Sequence, residues 1–187
     1  MNRRWRGLII FVSLFFLNVC NLYADEMESK FKDIITQIAA DLQVESSVGK
    51  GLEKEKGAAI ENNLVECQSK LKSLIKTNPQ SIWADDAQYV IAILSATNPK
   101  QEALELEYLL KEYPSMHIED WTREAFAIAM PNQKIPFEVM VRLQLCMDYK
   151  KCGDTEKLKH ICEESIKKYP EKAKIFENLL QETDTAS

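Results

Sequence analysis

The chain has 187 residues, with 24 lysines and arginines against 29 aspartates and glutamates, and a net charge of −5. An acidic surface repels phosphate backbones, so nucleic acid is not the expected partner. Only five glycines, with abundant Leu, Ile, Ala, Glu and Lys, favour helices throughout.

The N-terminus reads as a targeting segment. Arg3, Arg4 and Arg6 form a basic region, and Leu8 to Val19 is an almost unbroken apolar run. That run has the length of a signal-peptide core and is short for a membrane span. Cleavage is expected after Ala24, giving a signal peptide over 1–24 and a single domain over 25–187. An uncleaved N-terminal anchor is the alternative. Leu17-Asn18-Val19-Cys20 also resembles a bacterial lipobox, which would attach lipid at Cys20 and tether the domain to a membrane. No other apolar run is long enough to cross a bilayer. Removing the leader takes three basic residues and no acidic one, which leaves a net charge of −8.

Eight helices and no strand are expected in the mature chain. Phe31, Ile34, Ile35, Ile38, Ala39 and Leu42 recur at helical spacing. Glu45 to Gly57 reads as a loop. Ile60, Leu64, Cys67, Leu71, Leu74 and Ile75 form a second stripe, stopped by Asn78-Pro79. Ser81 is the expected N-cap of a third helix burying Trp83, Ala87, Val90, Ile91 and Leu94. Thr97 to Lys100 is a short connection to a returning helix carrying Ala103, Leu106, Leu109, Leu110 and Tyr113. After a turn over 114–118, a shorter helix is expected over 119–130, then a loop over 131–136. Phe137 to Cys152 forms an apolar helix, Gly153 suits a left-handed C-cap, and Asp154 or Thr155 starts the next helix. Leu158, Ile161, Cys162, Ile166 and Tyr169 are its buried stripe. A last helix spans about 171–181, followed by a frayed tail from Glu182.

Two of these helices end in one phrase. Leu109-Leu110-Lys111-Glu112-Tyr113-Pro114 matches Ser165-Ile166-Lys167-Lys168-Tyr169-Pro170, and residues 74–79 are a looser version. A recurrent helix end implies a recurrent helix pair. Residues 139–172 resemble a tetratricopeptide repeat (TPR): Leu145 and Tyr149 hold its first-helix leucine and tyrosine, Gly153-Asp154 its turn, and Pro170 its proline. Arg142, Cys146, Leu158 and Ser165 depart from the tryptophan, glycine and two alanines of that pattern. The span from Trp83-Ala84-Asp85-Asp86-Ala87 to Tyr113-Pro114 is similar to the repeats of bacterial envelope proteins, in particular BamD-like assembly lipoproteins and Tol–Pal coordinator proteins. The resemblance implies an all-α solenoid of stacked helical hairpins. It also implies a groove lined by Asp86 and Tyr89 in the earlier repeat and by Met140, Leu143, Met147, Lys150 and Lys151 in the later one. Met140, Leu143 and Met147 would otherwise pack against the helix over 119–130.

Chemistry is sparse. The mature chain keeps Cys67, Cys146, Cys152 and Cys162. If the repeat alignment holds, Cys146 and Cys162 face each other across one hairpin, either as a disulfide or as two buried thiols. Zinc spacing is lacking, so no metal is expected, and no cofactor motif is present. Glu156, His160, Glu163 and Glu164 read as a solvated face. Asp85-Asp86 and Glu102, Glu105 and Glu107 read as helix-end and surface charge. Two Ser-x-x-Lys sequences, at Ser73 and Ser165, lack the companion motifs of penicillin-interacting enzymes.

No catalytic constellation assembles, and the expectation is a non-enzymatic, exported scaffold that binds a protein or peptide in a helical groove. The resemblance implies cell-envelope assembly in the periplasm or at the outer membrane. The rivals are a small-ligand-binding or enzymatic helical domain, and a self-associating envelope subunit.

Overall fold

The computed structural model describes residues 26–41, 54–125 and 135–184. The expected leader with Cys20, and Leu42 with most of the expected loop over 45–57, lie outside the described residues. Among the described residues there are eight α-helices and no strand, so the chain is all-α: α1 over 26–41, α2 Lys54–Thr77, α3 Ala84–Leu94, α4 Pro99–Glu112, α5 Asp120–Ala125, α6 Phe137–Cys152, α7 Thr155–Lys168 and α8 Ala173–Asp184. A 3-10 turn over Pro170–Lys172 precedes α8.

Local sequence sets the ends of α4 and α7 in the same way. The Asn98 side chain accepts the Gln101 N–H at 3.3 Å, and Asp154 accepts the Lys157 N–H at 3.2 Å. Both helices have 14 residues. Both stop at a Tyr-Pro pair, with Tyr113 at φ −124°, ψ 66° and Tyr169 at φ −129°, ψ 68°. Each tyrosine has left the α region, as the residue before proline must. Gly153 ends α6 at φ 71°, ψ 19°, the left-handed conformation that favours glycine.

Helices pack largely in chain order: α2 on α3, α3 on α4, α6 on α7 and α7 on α8, with α4 on α6 across the intervening α5. Two apolar clusters result. The N-terminal one joins Phe31, Ile35 and Ile38 to Cys67, Leu71, Ile75, Trp83, Val90 and Ile91. The other joins Ala103, Leu106 and Leu109 to Val139, Leu145, Cys146, Leu158, Ile161, Cys162 and Phe176. Helix α3 divides its residues between them, with Ala92 in the second. Each fully buried large side chain contributes about 1.5–3 kcal/mol.

Several boundaries differ from expectation. Helix α2 begins at Lys54, inside the expected loop. Trp83 and not Ser81 precedes α3; Ser81 Oγ accepts the Trp83 N–H at 3.3 Å and forms a short turn instead. Helix α8 continues to Asp184, through part of the expected frayed tail. Of the helix expected over 119–130, α5 is described as Asp120–Ala125, and the rest lies outside the described residues.

Helix α5 joins the N-terminal cluster through Trp121 and Ala125. Phe31 lies 5.1 Å from the Trp83 ring and 6.4 Å from the Trp121 ring, and Lys32 Nζ lies 5.6 Å and 5.7 Å from those two indoles. Asp85 and Asp86 fix the approach to α5. Asp85 Oδ2 accepts the His117 N–H and Asp86 Oδ1 accepts the Glu119 N–H, both at 3.1 Å. These acids are therefore 7% and 0% exposed, which corrects the surface assignment. Backbone donors before a short helix, otherwise unpaired, draw them inward. Burial pushes the Asp86 carboxyl up to about 7.

Candidate functional site

An open cleft of about 560 Å³ runs between α4, the end of α6 and the start of α7. Lys100, Ala103, Leu104 and Glu107 come from α4, Tyr149 and Cys152 from α6. A neighbouring hollow of about 400 Å³ shares Glu107, Tyr149 and Lys157 and continues past Leu145 and Ile161 to His160. The shared residues form a hydrogen-bonded post. The Tyr149 hydroxyl donates to Glu107, and Lys157 Nζ donates to the same carboxylate at 2.8 Å. Lys157 Nζ also sits 5.4 Å from the centre of the Tyr149 ring. Burial alone would raise the Glu107 carboxyl, but the bonds from Lys157 and Tyr149 outweigh it and hold Glu107 below its ordinary value. Leu104, on the cleft wall, is 53% exposed, and Tyr108, one turn further along α4, is 45% exposed. The post is charged and pinned, and the wall beside it is apolar and open. That arrangement can hold a side chain or helix edge, with polar groups fixing register.

The groove expected from the repeat pattern falls on another stripe of α6. Arg142, Leu145 and Tyr149 face the two hollows, while Met147 is 43% exposed on a different side of the helix. Met140 and Leu143 are half-buried, Leu143 against the second cluster. Lys150 Nζ reaches Glu182 on α8 at 2.6 Å, and Lys151 Nζ reaches Asp148 at 3.0 Å. Asp86 leaves this set, because its carboxylate is buried on the Glu119 backbone. Tyr89 is half-buried, its ring 4.8 Å edge-on to Phe137. The seven residues therefore do not gather into one open groove. Met147 is the apolar one that reaches solvent, and Lys150 and Lys151 are exposed but tied to Glu182 and Asp148.

Cys146 and Cys162 are both 0% exposed, with their sulfurs 3.5 Å apart as free thiols between α6 and α7. Among the described residues, no three His, Cys, Asp or Glu side chains gather to hold a metal, and no helix is long and apolar enough to cross a membrane. His160 and Glu164 lie on an exposed face.

Besides Asp85 and Asp86, two further acids were misplaced or missed by sequence reasoning. Glu102 is 4% exposed, which corrects its assignment to surface charge, and Asp148 is 0% exposed. Glu102 stands four residues before Leu106 and seven before Leu109, so helical spacing alone put it on the buried stripe. Asp148 stands three after Leu145, on the same kind of stripe. The signal was present, and the usual preference of carboxylates for water masked it. No family model matches the chain, and no curated protein and no solved structure shows significant similarity to it.

Proposed function

We propose that the chain is a TPR-like stack of helical hairpins that binds a peptide or protein segment outside the cytoplasm, as an envelope scaffold and not as a catalyst. One observation carries this reading. Helices α4 and α7, 56 positions apart, share length, side-chain N-cap and Tyr-Pro exit. Each follows a helix packed against it, and helix α6 of the second pair packs on α4 of the first. Such units bury their apolar faces by stacking and leave long surfaces free for recognition. The cleft beside Leu104 supplies an apolar wall with a fixed charged post, a combination that suits an extended or helical segment. Of the carboxylates on that cleft, Glu107 is tied to Tyr149 and Lys157 and Asp154 caps α7, roles that favour recognition over acid–base work.

Crosslinking pull-down from the native envelope, read by mass spectrometry, tests the proposal. A specific partner should be captured by the wild type and lost on Leu104→Asp, with the fold retained by circular dichroism. Loss on Met147→Asp with Leu104→Asp unaffected would move the site to the outer stripe of α6. Light scattering at two protein concentrations identifies self-association. No specific partner, together with turnover of a small molecule, would end the scaffold reading. Mass measurement of the native protein's N-terminus tests export: cleavage after Ala24, acylation at Cys20 and an intact leader have different masses.

A further inference from the structure

Glu102 on α4 and Asp148 on α6 meet across the helix seam, 4% and 0% exposed. One oxygen of each is served from α6. Gln144 Nε2 lies 3.2 Å from Glu102 Oε1 and 3.4 Å from Asp148 Oδ1, and Lys151 Nζ lies 3.0 Å from Asp148 Oδ1. The other oxygens, Glu102 Oε2 and Asp148 Oδ2, are buried with no partner. Two ionised carboxylates bridged by one amide, each with an unserved buried oxygen, are costly. Lys151 balances one charge and lies on the Asp148 side. A single proton held between the two carboxyls would serve both remaining oxygens, one as donor and one as acceptor.

The repeat position sharpens the argument. The Glu102 N–H bonds to the Asn98 carbonyl at 2.9 Å, and the Leu158 N–H bonds to the Asp154 carbonyl at 3.0 Å. Glu102 thus occupies a slot that α7 fills with leucine, and a neutral acid suits such a slot far better than an anion.

We propose that Glu102 and Asp148 share one proton, and that this proton latches α4 to α6 so that the seam weakens as pH rises through neutrality. The latch does not depend on the identity of any partner. The groups facing Glu102 are Gln144, Asp148 and Lys151 from α6 and Tyr89 from α3. Burial first, then the charge of Asp148, raises the Glu102 carboxyl from 4.5 to about 7, with Lys151 opposing. A folded value above the unfolded one places this stabilisation fully below 4.5 and removes it as pH rises through about 7. That displacement corresponds to a change of up to about 300-fold in the folding equilibrium.

The test uses the full chain. Urea unfolding between pH 5 and pH 8 compares the wild type with Glu102→Gln, whose amide stands in for the protonated acid and can donate to Asp148. The wild type should lose tens-fold, up to about 70-fold, in folding equilibrium relative to the variant across that range, the rest of the effect lying below pH 5. The Glu102 carboxyl carbon, followed by NMR, should titrate near 7. Asp148→Asn should return that midpoint towards the ordinary value. Parallel pH profiles for wild type and Glu102→Gln, or a Glu102 midpoint at its ordinary value, would overturn the proposal. If Glu102→Gln does not fold, the wild-type NMR titration decides alone.

Discussion

Replacing Glu138 with alanine should isolate a buried guanidinium and detach the end of α7 from the start of α6. The Glu138 side chain is 10% exposed and accepts from Arg142 Nε, Lys168 Nζ and the Tyr169 hydroxyl, each at 2.7 Å. Three charge-assisted bonds at about 1.5–3 kcal/mol each set an upper bound that is not reached. Lys168 is 46% exposed and regains water when released. Arg142 is 11% exposed, and its remaining carboxylate, Glu164, is 3.6 Å away and half in solvent. Breaking a buried pair from one side costs about 3–5 kcal/mol, and the freed lysine places Glu138→Ala at the low end, about 3 kcal/mol. For a domain of this size that lowers Tm by about 10 °C. Glu138→Gln keeps a carbonyl for Tyr169 and should cost about half as much. Burial would raise the Glu138 carboxyl, but the bonds from Lys168, Tyr169 and Arg142 outweigh it and hold it below 4.5. A lowered folded value gives stability that is present above 4.5 and lost as pH falls through the folded value. Glu138→Gln should therefore flatten the acid limb. Chemical denaturation followed by circular dichroism at pH 7 and pH 4 measures both effects. A Glu138→Ala variant within about 0.5 kcal/mol of wild type at pH 7 would refute the reasoning, because surface substitutions stay in that range.

Gly153→Ala should cost about 1–2 kcal/mol from backbone conformation alone, because an added Cβ meets nothing within 4 Å while φ is 71°. Gly153→Asn should cost less, and equal stability of the alanine variant in urea would contradict this. Refolding in a glutathione redox buffer should join Cys146 to Cys162, giving a chain lighter by two hydrogens and more stable by about 3 kcal/mol for a loop of this length. Unchanged thiol titration after such refolding would exclude the bridge.

Helical periodicity made most of the architecture legible. The Tyr-Pro phrase located the ends of α4 and α7, and Gly153-Asp154 located the turn between α6 and α7, because proline and glycine act through local backbone geometry. The acids were the failure. Glu102 and Asp148 lie at buried-stripe spacing, masked by their charge, whereas the backbone donors that bury Asp85 and Asp86 come from beyond their own helix and are not visible in one helix read alone. Ser81 failed because α3 starts later, at Ala84, so its hydroxyl holds the Trp83 amide in the turn before the helix. The groove assignment placed residues on a helix but not against neighbours, so it missed that α8 approaches Lys150 and that the open hollows lie beside α4.

The packing of most helices on those next, or next but one, in the chain has a kinetic corollary. Most tertiary partners are close in sequence, so contact order is low and little loop entropy is spent before apolar contacts form. Maturation in the millisecond range or faster is expected for such a topology. A polypeptide delivered end-first, from a ribosome or through a translocation channel, could zip up pair by pair without waiting for its C-terminus.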